Sequence, residues 1–120
     1  MKYIISLIVF LCLSVNAAPA PNWKAVFVNT KNATFYLDFN SLKSDGKAAA
    51  MRLRLVDNDN KAAFADAVVI EKECALGAGV LTMYRVNSNE ILGTDTYVFG
   101  GGNGISSIAK HICNNINQGD

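Results

Sequence analysis

Metal and cysteine chemistry need residues that this sequence has little of. Among 120 residues there are three cysteines and one histidine, and no CxxC pair occurs. A structural zinc site needs several clustered ligands, and a Cys–His nucleophile needs both side chains within reach of each other. His111 and Cys113 lie two positions apart on a predicted helix, so they point in different directions. The composition therefore predicts no metal site and no cofactor, and it argues against cysteine catalysis.

Charge of one sign is not concentrated anywhere in the chain. The 11 basic and 10 acidic residues give a formal net charge of +1, and no block of like charge occurs. Proteins that bind nucleic acids or anionic membranes usually carry such a block. The sequence therefore predicts no nucleic-acid partner.

Residues for acid–base chemistry are also sparse. Glu71 and Glu73 are expected on one face of a strand, Asp57 and Asp59 beside a turn, and His111 in solvent. Nothing visible in these surroundings would shift a pKa toward a catalytic value. We therefore predict that the protein is not an enzyme. An enzyme would require His111 to meet a carboxylate in a cleft.

The one long apolar run stands at the N terminus. Lys2 precedes an apolar stretch over residues 4–15, and Val15 and Ala17 offer small residues at the −3 and −1 positions of a cleavage site. This is the pattern of a cleavable secretory signal. We predict a signal peptide over residues 1–17.

The rest of the chain is predicted to be exported without a membrane anchor. The apolar run is too short for a transmembrane helix, which needs about 20 residues. The residues before Cys12 lack the small residue that a lipid-attachment motif would place there. Residues 18–120 are expected to form a single domain in the periplasm or in the medium, or at the cell surface.

Removal of the signal peptide leaves two cysteines, Cys74 and Cys113, with 38 residues between them. A lone pair in an oxidising compartment most often forms a disulfide. Closing a loop of this length stabilises a fold by about 4 kcal/mol in the loop-entropy account. The pair is therefore predicted to be a structural disulfide.

Six segments show the alternation of β-strands, and polar turns separate them. They cover residues 23–29, 33–39, 50–57, 63–73, 80–86 and 91–99. In the first segment Trp23, Ala25 and Phe27 share one face, and Trp23 is expected to anchor the core. From Ile105 to Ile116 the apolar residues recur at helical spacing. The predicted fold is α+β, a mainly antiparallel sheet of about six strands with one C-terminal helix packed on it and one disulfide.

Four glycines in the five positions from Gly100 to Gly104 separate the last strand from the helix. A phosphate-binding P-loop has a lysine directly after its last glycine, but Ile105 follows here. A dinucleotide-binding fold would need a further strand after the helix. Glycine also allows positive φ and close backbone approach. The run is therefore predicted to be a hinge that returns the helix to the sheet.

Short motifs along the mature chain carry a family resemblance. They are NWKAVF at its start, FYLDFNSLKSDGK with a Tyr-x-Asp-x-x-Ser core, EKEC at the end of the fourth predicted strand, and a C-terminal HIC. On these motifs the sequence resembles the surface-adhesin protein E family over nearly the whole mature chain. The matching positions are Trp23, Tyr36, Asp38, Ser41, Gly46, Glu73, Cys74 and Cys113. The resemblance implies the same sheet, helix and disulfide.

Local chemistry gives three of these positions a role in the fold. Asp38 and Ser41 can hydrogen-bond to turn backbone, and Gly46 allows the turn before the third strand. The sequence itself assigns no binding residues.

The resemblance also implies a function. Such adhesins bind host proteins such as vitronectin, laminin and plasminogen, so the chain would be a non-enzymatic binding module that presents a sheet face or edge. An edge could also support a homodimer. The alternative is a periplasmic inhibitor or immunity-type protein that blocks a hydrolase. An exposed patch of Tyr and Arg would favour protein binding, and a protruding loop with a charged tip would favour inhibition.

Overall fold

The structure, a computed structural model, describes residues 20–118; the predicted signal peptide lies outside them. Six strands form one sheet in the order of the chain, and each pairs antiparallel with the next. The strands are β1 (Trp23–Val28), β2 (Thr34–Ser44), β3 (Ala48–Val56), β4 (Ala62–Ile70), β5 (Ala78–Tyr84) and β6 (Ile91–Val98). Two helices complete the fold, α1 (Glu71–Leu76) and α2 (Gly104–Gln118). The predicted α+β fold, with its antiparallel sheet and C-terminal helix, is confirmed.

Short turns connect the strands of each hairpin, and each turn contains a residue in the left-handed backbone conformation. Asn32, Asn60 and Asn87 have φ values of 64°, 67° and 59° and lie between β1 and β2, β3 and β4, and β5 and β6. Asparagine tolerates this conformation better than other side chains. Gly46, with φ of 89°, makes the turn between β2 and β3, as the sequence predicts. The chain therefore reverses direction wherever polar residues interrupt the alternation.

The prediction that the fourth strand runs to Glu73 is wrong. The strand ends at Ile70, and the next residues form α1. The Glu71 carboxylate accepts a hydrogen bond from the Gly46 N–H at 3.2 Å, and Glu73 accepts one from the Val80 N–H at 2.9 Å. These two carboxylates hold α1 against neighbouring turns and strands, and they do not form an acidic pair on a strand face.

The core lies between α2 and the face of the sheet that we call the inner face. Leu37, Met51 and Leu81 from the sheet and Ile108 and Ile112 from the helix each expose 1% or less of their surface. Burial of one such side chain contributes about 1.5–3 kcal/mol of transfer free energy. The isoleucine stripe that predicts the helix is therefore the stripe that the sheet covers.

The disulfide between Cys74 and Cys113 is present, as predicted, and it joins α1 to α2. The two cysteines are 39 positions apart in the sequence, and β5, β6 and the glycine run lie between them. The far half of α2 is therefore tied to the short helix that leaves β4, in addition to its contacts with the core.

Two adjacent serines at the start of α2 hydrogen-bond to opposite edges of the sheet. Ser106 Oγ accepts from the Val98 N–H of β6 at 3.3 Å, and Ser107 Oγ donates to the Val26 carbonyl of β1 at 2.6 Å. In a flat sheet of this size the edge strands would lie about 24 Å apart, because neighbouring strands are about 4.8 Å apart. The sheet therefore curls around α2, and the inner face is concave.

The glycine run allows α2 to enter this concave side. Gly100 has a φ of 87°, a conformation that side chains disfavour. A Cβ atom at Gly104 would lie 3.2 Å from ring atoms of both Phe27 and Phe35. Gly104 thus lets the first turn of the helix press against the inner face, and the run acts as the predicted hinge.

A β-bulge in β1 changes the predicted assignment of faces. The register with β2 shifts between Ala25 and Phe27. Phe27 consequently turns to the inner face, where its ring meets Phe35 edge-on at 5.9 Å. Trp23 lies on the opposite, outer face, 6.0 Å from the ring of Phe64. The prediction that Trp23 anchors the core is therefore wrong.

Candidate functional site

The outer face of the sheet divides into two halves of different chemistry. On β5 and β6 it carries three threonines, with Thr82 opposite Thr94 and Thr96 opposite Val80, and Tyr84 and Val98 stand at the two ends of this row. Small β-branched polar residues are typical of a solvated sheet face. On β1 to β4 the same face carries aromatic and charged side chains, and neither helix within residues 20–118 covers them. This second half is the candidate site.

Four side chains form a cluster that we call the outer cluster. Tyr36, Arg54 and Phe64 lie side by side on β2, β3 and β4, and Trp23 reaches them from β1. The Arg54 guanidinium carbon lies 4.7 Å from the centre of the Trp23 ring and 4.6 Å from that of Tyr36. Cation–π contacts at this range are worth about 0.5–2 kcal/mol each. The two rings therefore fix the position of the guanidinium group.

Arg54 has no ionic partner among the described residues, in which the salt bridges pair other side chains. Its Nε atom is buried and has no hydrogen-bond partner there. A buried guanidinium N–H without an acceptor is costly. At the same time 48% of the Phe64 surface is exposed beside it. The cluster thus combines an oriented cation with an uncovered aromatic surface.

A charged row crosses the sheet next to the outer cluster. Arg52 on β3 pairs in register with Asp38 on β2 and Asp66 on β4. Arg52 Nε donates to Asp66 Oδ1 at 2.8 Å, and the Asn87 N–H donates to the other Asp66 oxygen at 3.4 Å. In contrast to Arg54, Arg52 is therefore neutralised by its own chain.

The charged row forms one wall of a cavity of about 470 Å³ that opens on the outer face. Pro21, Lys43 and Asn87 also line it. This volume suits a single large side chain or a small ligand. The outer cluster therefore adjoins a recess rather than a flat surface.

Asp38 and Ser41 stabilise the backbone next to the site. Asp38 Oδ1 accepts from the N–H groups of Asn22 and Asn40 at 2.7 and 3.0 Å. Ser41 Oγ donates to the Asp38 carbonyl and accepts from the Arg52 N–H, each at 2.7 Å. Both side chains hydrogen-bond to backbone, as the sequence predicts. They fix the start of β1 and the irregular pairing of β2 with β3, and so place Trp23.

His111 lies on the inner side of the sheet and far from the outer cluster in the fold. Its Nδ1 atom lies 2.8 Å from the Ser107 carbonyl oxygen, so this nitrogen carries the proton and donates. Its ring meets Phe39 edge-on at 6.2 Å. The expectation of a solvated histidine is wrong, because the residue is half-buried and its ring packs against Phe39. Cys113 is held in the disulfide and is not a thiol.

The start of α2 is occupied by its own cap. Asn103 Oδ1 accepts from the Ser106 N–H at 2.8 Å, and the Asn103 carbonyl accepts from the Ser107 N–H at 3.2 Å. These contacts satisfy amide groups that an anion would otherwise bind. The glycine run and the helix start therefore serve the fold.

The free edge of β6 is partly closed to strand addition. Ile91, Leu92 and Val98 are exposed there, which could favour pairing with another strand. However, the Thr96 N–H donates to Asp95 Oδ1 at 2.8 Å, and the Val98 N–H donates to Ser106. Two edge amides thus already have acceptors, so the outer cluster is the better candidate for binding.

The sequence places two of the four members of the outer cluster on the correct face. The alternation in β2 and β3 puts Tyr36 and Arg54 on the side away from the core, where the structure has them. Phe64 faces outward in a segment with weak alternation, and the bulge that redirects Trp23 leaves no mark in the sequence. Register between strands, which brings these residues together, is the missing information.

Comparison with known proteins identifies no family for this chain. The chain matches no protein-family model, no curated protein sequence and no solved structure. The resemblance to the surface-adhesin protein E family stays a prediction from the motifs. Within residues 20–118, neither helix combines the length and apolar character that crossing a bilayer requires.

Proposed function

We propose that this chain is an exported, non-enzymatic protein-binding module and that the outer cluster is its contact surface. One observation carries the proposal: Arg54 is held against Trp23 and Tyr36, without an acceptor for its Nε, on an uncovered face. Tryptophan, tyrosine and arginine are the residues that dominate binding energy in protein interfaces. A rigid cluster of all three loses little conformational entropy on binding.

Three further features support export and a host protein as partner. The disulfide is compatible with an oxidising compartment, and the apolar N-terminal run has the pattern of a secretory signal. The family resemblance points to host proteins such as vitronectin, laminin or plasminogen. A periplasmic hydrolase is the alternative partner, and a contact through the outer cluster would serve it equally.

The proposal is tested by site-specific photo-crosslinking in the cells that produce the protein. A benzoylphenylalanine replaces Phe64 in one variant of the full chain. In the matched control it replaces Thr94, which is also exposed on the outer face but lies in its threonine half. Illumination is carried out with host serum proteins present and absent, and crosslinked species are identified by mass spectrometry.

The expected result is one protein adduct that forms from position 64 and not from position 94. An adduct with a serum or matrix protein supports the adhesin function, and an adduct with a periplasmic hydrolase supports the inhibitor. Equal adducts from both positions, or no adduct from position 64 under any condition, would contradict the proposed binding surface.

A further inference from the structure

We infer that the partner contributes a carboxylate, from an exposed aspartate or glutamate, that binds the Arg54 guanidinium. This inference rests on the proposed function and adds the chemistry of the partner. The binding segment would be acidic at one position, with an apolar residue beside it that covers Phe64. Three properties of the outer face lead to this partner.

The first property is the unused hydrogen-bonding capacity of Arg54. A guanidinium group donates from five N–H bonds in a planar fork that matches a carboxylate. No carboxylate within residues 20–118 forms a salt bridge with Arg54, and because Nε is buried the terminal N–H groups of the fork are the ones left for an incoming carboxylate. The Trp23 and Tyr36 rings hold the group in place, so an incoming carboxylate meets an oriented donor.

The second property is the state of the neighbouring acidic groups. Asp66 is paired with Arg52 and accepts from Asn87. Asp38 accepts from two backbone N–H groups. Because both carboxylates are held by other donors, they do not compete with a partner carboxylate for Arg54.

The third property distinguishes a protein carboxylate from a polyanion. Nucleic acids and sulfated glycans are bound by rows of cations, each placed against a separate anionic group. On this face Arg52 is already paired with Asp66, and the other cation beside the cavity is Lys43 on β2. A single oriented arginine between aromatic rings fits one partner carboxylate that has apolar residues beside it.

The inference can be tested with a library of displayed random peptides selected on the purified mature protein. Selections run in parallel on the wild type and on the R54Q, F64A and R85Q variants. R85Q is the matched control, because Arg85 lies in the exposed turn after β5 and pairs with Glu90. Urea unfolding midpoints of all variants are measured first, so that only folded proteins are compared.

The expected outcome is a set of peptides with one fixed Asp or Glu that is lost on R54Q and retained on R85Q. Replacing that residue by Asn or Gln in a synthetic peptide should weaken binding about tenfold. The fluorescence of Trp23, the single tryptophan of the chain, reports the affinity directly because its ring contacts Arg54.

Other outcomes separate this inference from the proposed function. Peptides without an acidic residue that are lost on F64A would overturn the carboxylate partner and leave the binding surface intact. Peptides unaffected by F64A and R54Q, or no enriched peptide at all, would overturn both. Retention on a heparin column that depends on Arg54 would replace the carboxylate by a sulfated glycan.

Discussion

The two faces of the sheet are built from the same strands, yet their side chains differ in burial and in chemistry. On the inner face, alanine and aliphatic side chains pack against α2; Leu37, Ala67 and Val69 have no exposed surface. On the outer face of β1 to β4, side chains such as Phe64, Arg54 and Ile70 are not covered by either helix within residues 20–118. The fully buried apolar surface therefore lies on the inner face, while the outer face leaves part of its aromatic surface exposed.

The outer face also contains its own reference. Its threonine half on β5 and β6 has no aromatic ring paired with a cation among the described residues. The outer cluster departs from that pattern at Trp23, Arg54 and Phe64. Because both halves share curvature and solvent, a difference between them in any binding assay belongs to the side chains.

The largest expected effect comes from releasing α2 on the inner face. Replacing both Cys74 and Cys113 by serine should lower the free energy of unfolding by about 4 kcal/mol, because the unfolded chain regains loop entropy. Urea unfolding measures the loss, and the wild type under reducing conditions should show the same change. A loss below about 1 kcal/mol would mean that the core contacts alone hold the helix.

Truncation on the two faces should have unequal costs. Leu37→Ala removes a fully buried side chain and should cost about 2–5 kcal/mol, since a cavity is left behind. Phe64→Ala on the outer face should cost less than about 1 kcal/mol. Both are read from chemical denaturation. Similar losses in the free energy of unfolding for the two variants would contradict the claim that the inner face provides most of the stability.

The seating of α2 on the inner face depends on Gly104. Gly104→Ala places a methyl group 3.2 Å from the Phe27 and Phe35 rings and should cost about 1–3 kcal/mol through overpacking. Gly102→Ala is the matched control, because a Cβ there meets nothing within 4 Å. Thermal unfolding compares the two. Equal melting temperatures would show that the helix can shift without penalty.

The smallest effect is a pH dependence on the inner face. Burial, with a further contribution from the negative charge of Glu73, raises the pKa of Tyr97 above its ordinary value of 10.0. The unfolded chain then loses this proton first, so the stability due to Tyr97 is complete below pH 10 and falls as the pH rises through the folded pKa.

This pH dependence is measured as the difference between wild type and Tyr97→Phe in urea unfolding from about pH 8 to about pH 11. The wild type should lose more stability above pH 10 than the variant, which has no hydroxyl to ionise. Parallel curves would contradict the shift. Below pH 10 the variant should be at least as stable, because the Tyr97 hydroxyl is buried without a partner among the described residues.

The sequence predicts the inner face better than the outer one, for a physical reason. Alternation and helical spacing describe burial, so the strands and the apolar stripe of α2 follow from the sequence, and the lone pair of cysteines gives the disulfide. The end of β4 does not, because Glu71 and Glu73 are held in α1 by N–H groups of Gly46 and Val80. Those donors belong to other segments, and local patterns carry no information about them.

The outer cluster depends on register and on one bulge. The pairing of Tyr36 with Arg54 and of Arg54 with Phe64 is a property of three strands together. The shift between Ala25 and Phe27 turns Trp23 outward, against strict alternation. A sequence pattern assigns each residue to a face, but the neighbours that make a site are set by the assembled sheet.

The central claim is that the outer cluster is covered by a protein partner where this protein acts. Hydroxyl-radical footprinting of intact producing cells, with the purified protein as reference, tests it most directly. The account predicts that oxidation of Trp23 and Phe64 falls in cells while that of the exposed edge residues Ile91 and Leu92 stays the same. Equal oxidation of the outer cluster in cells and in the purified protein would contradict it.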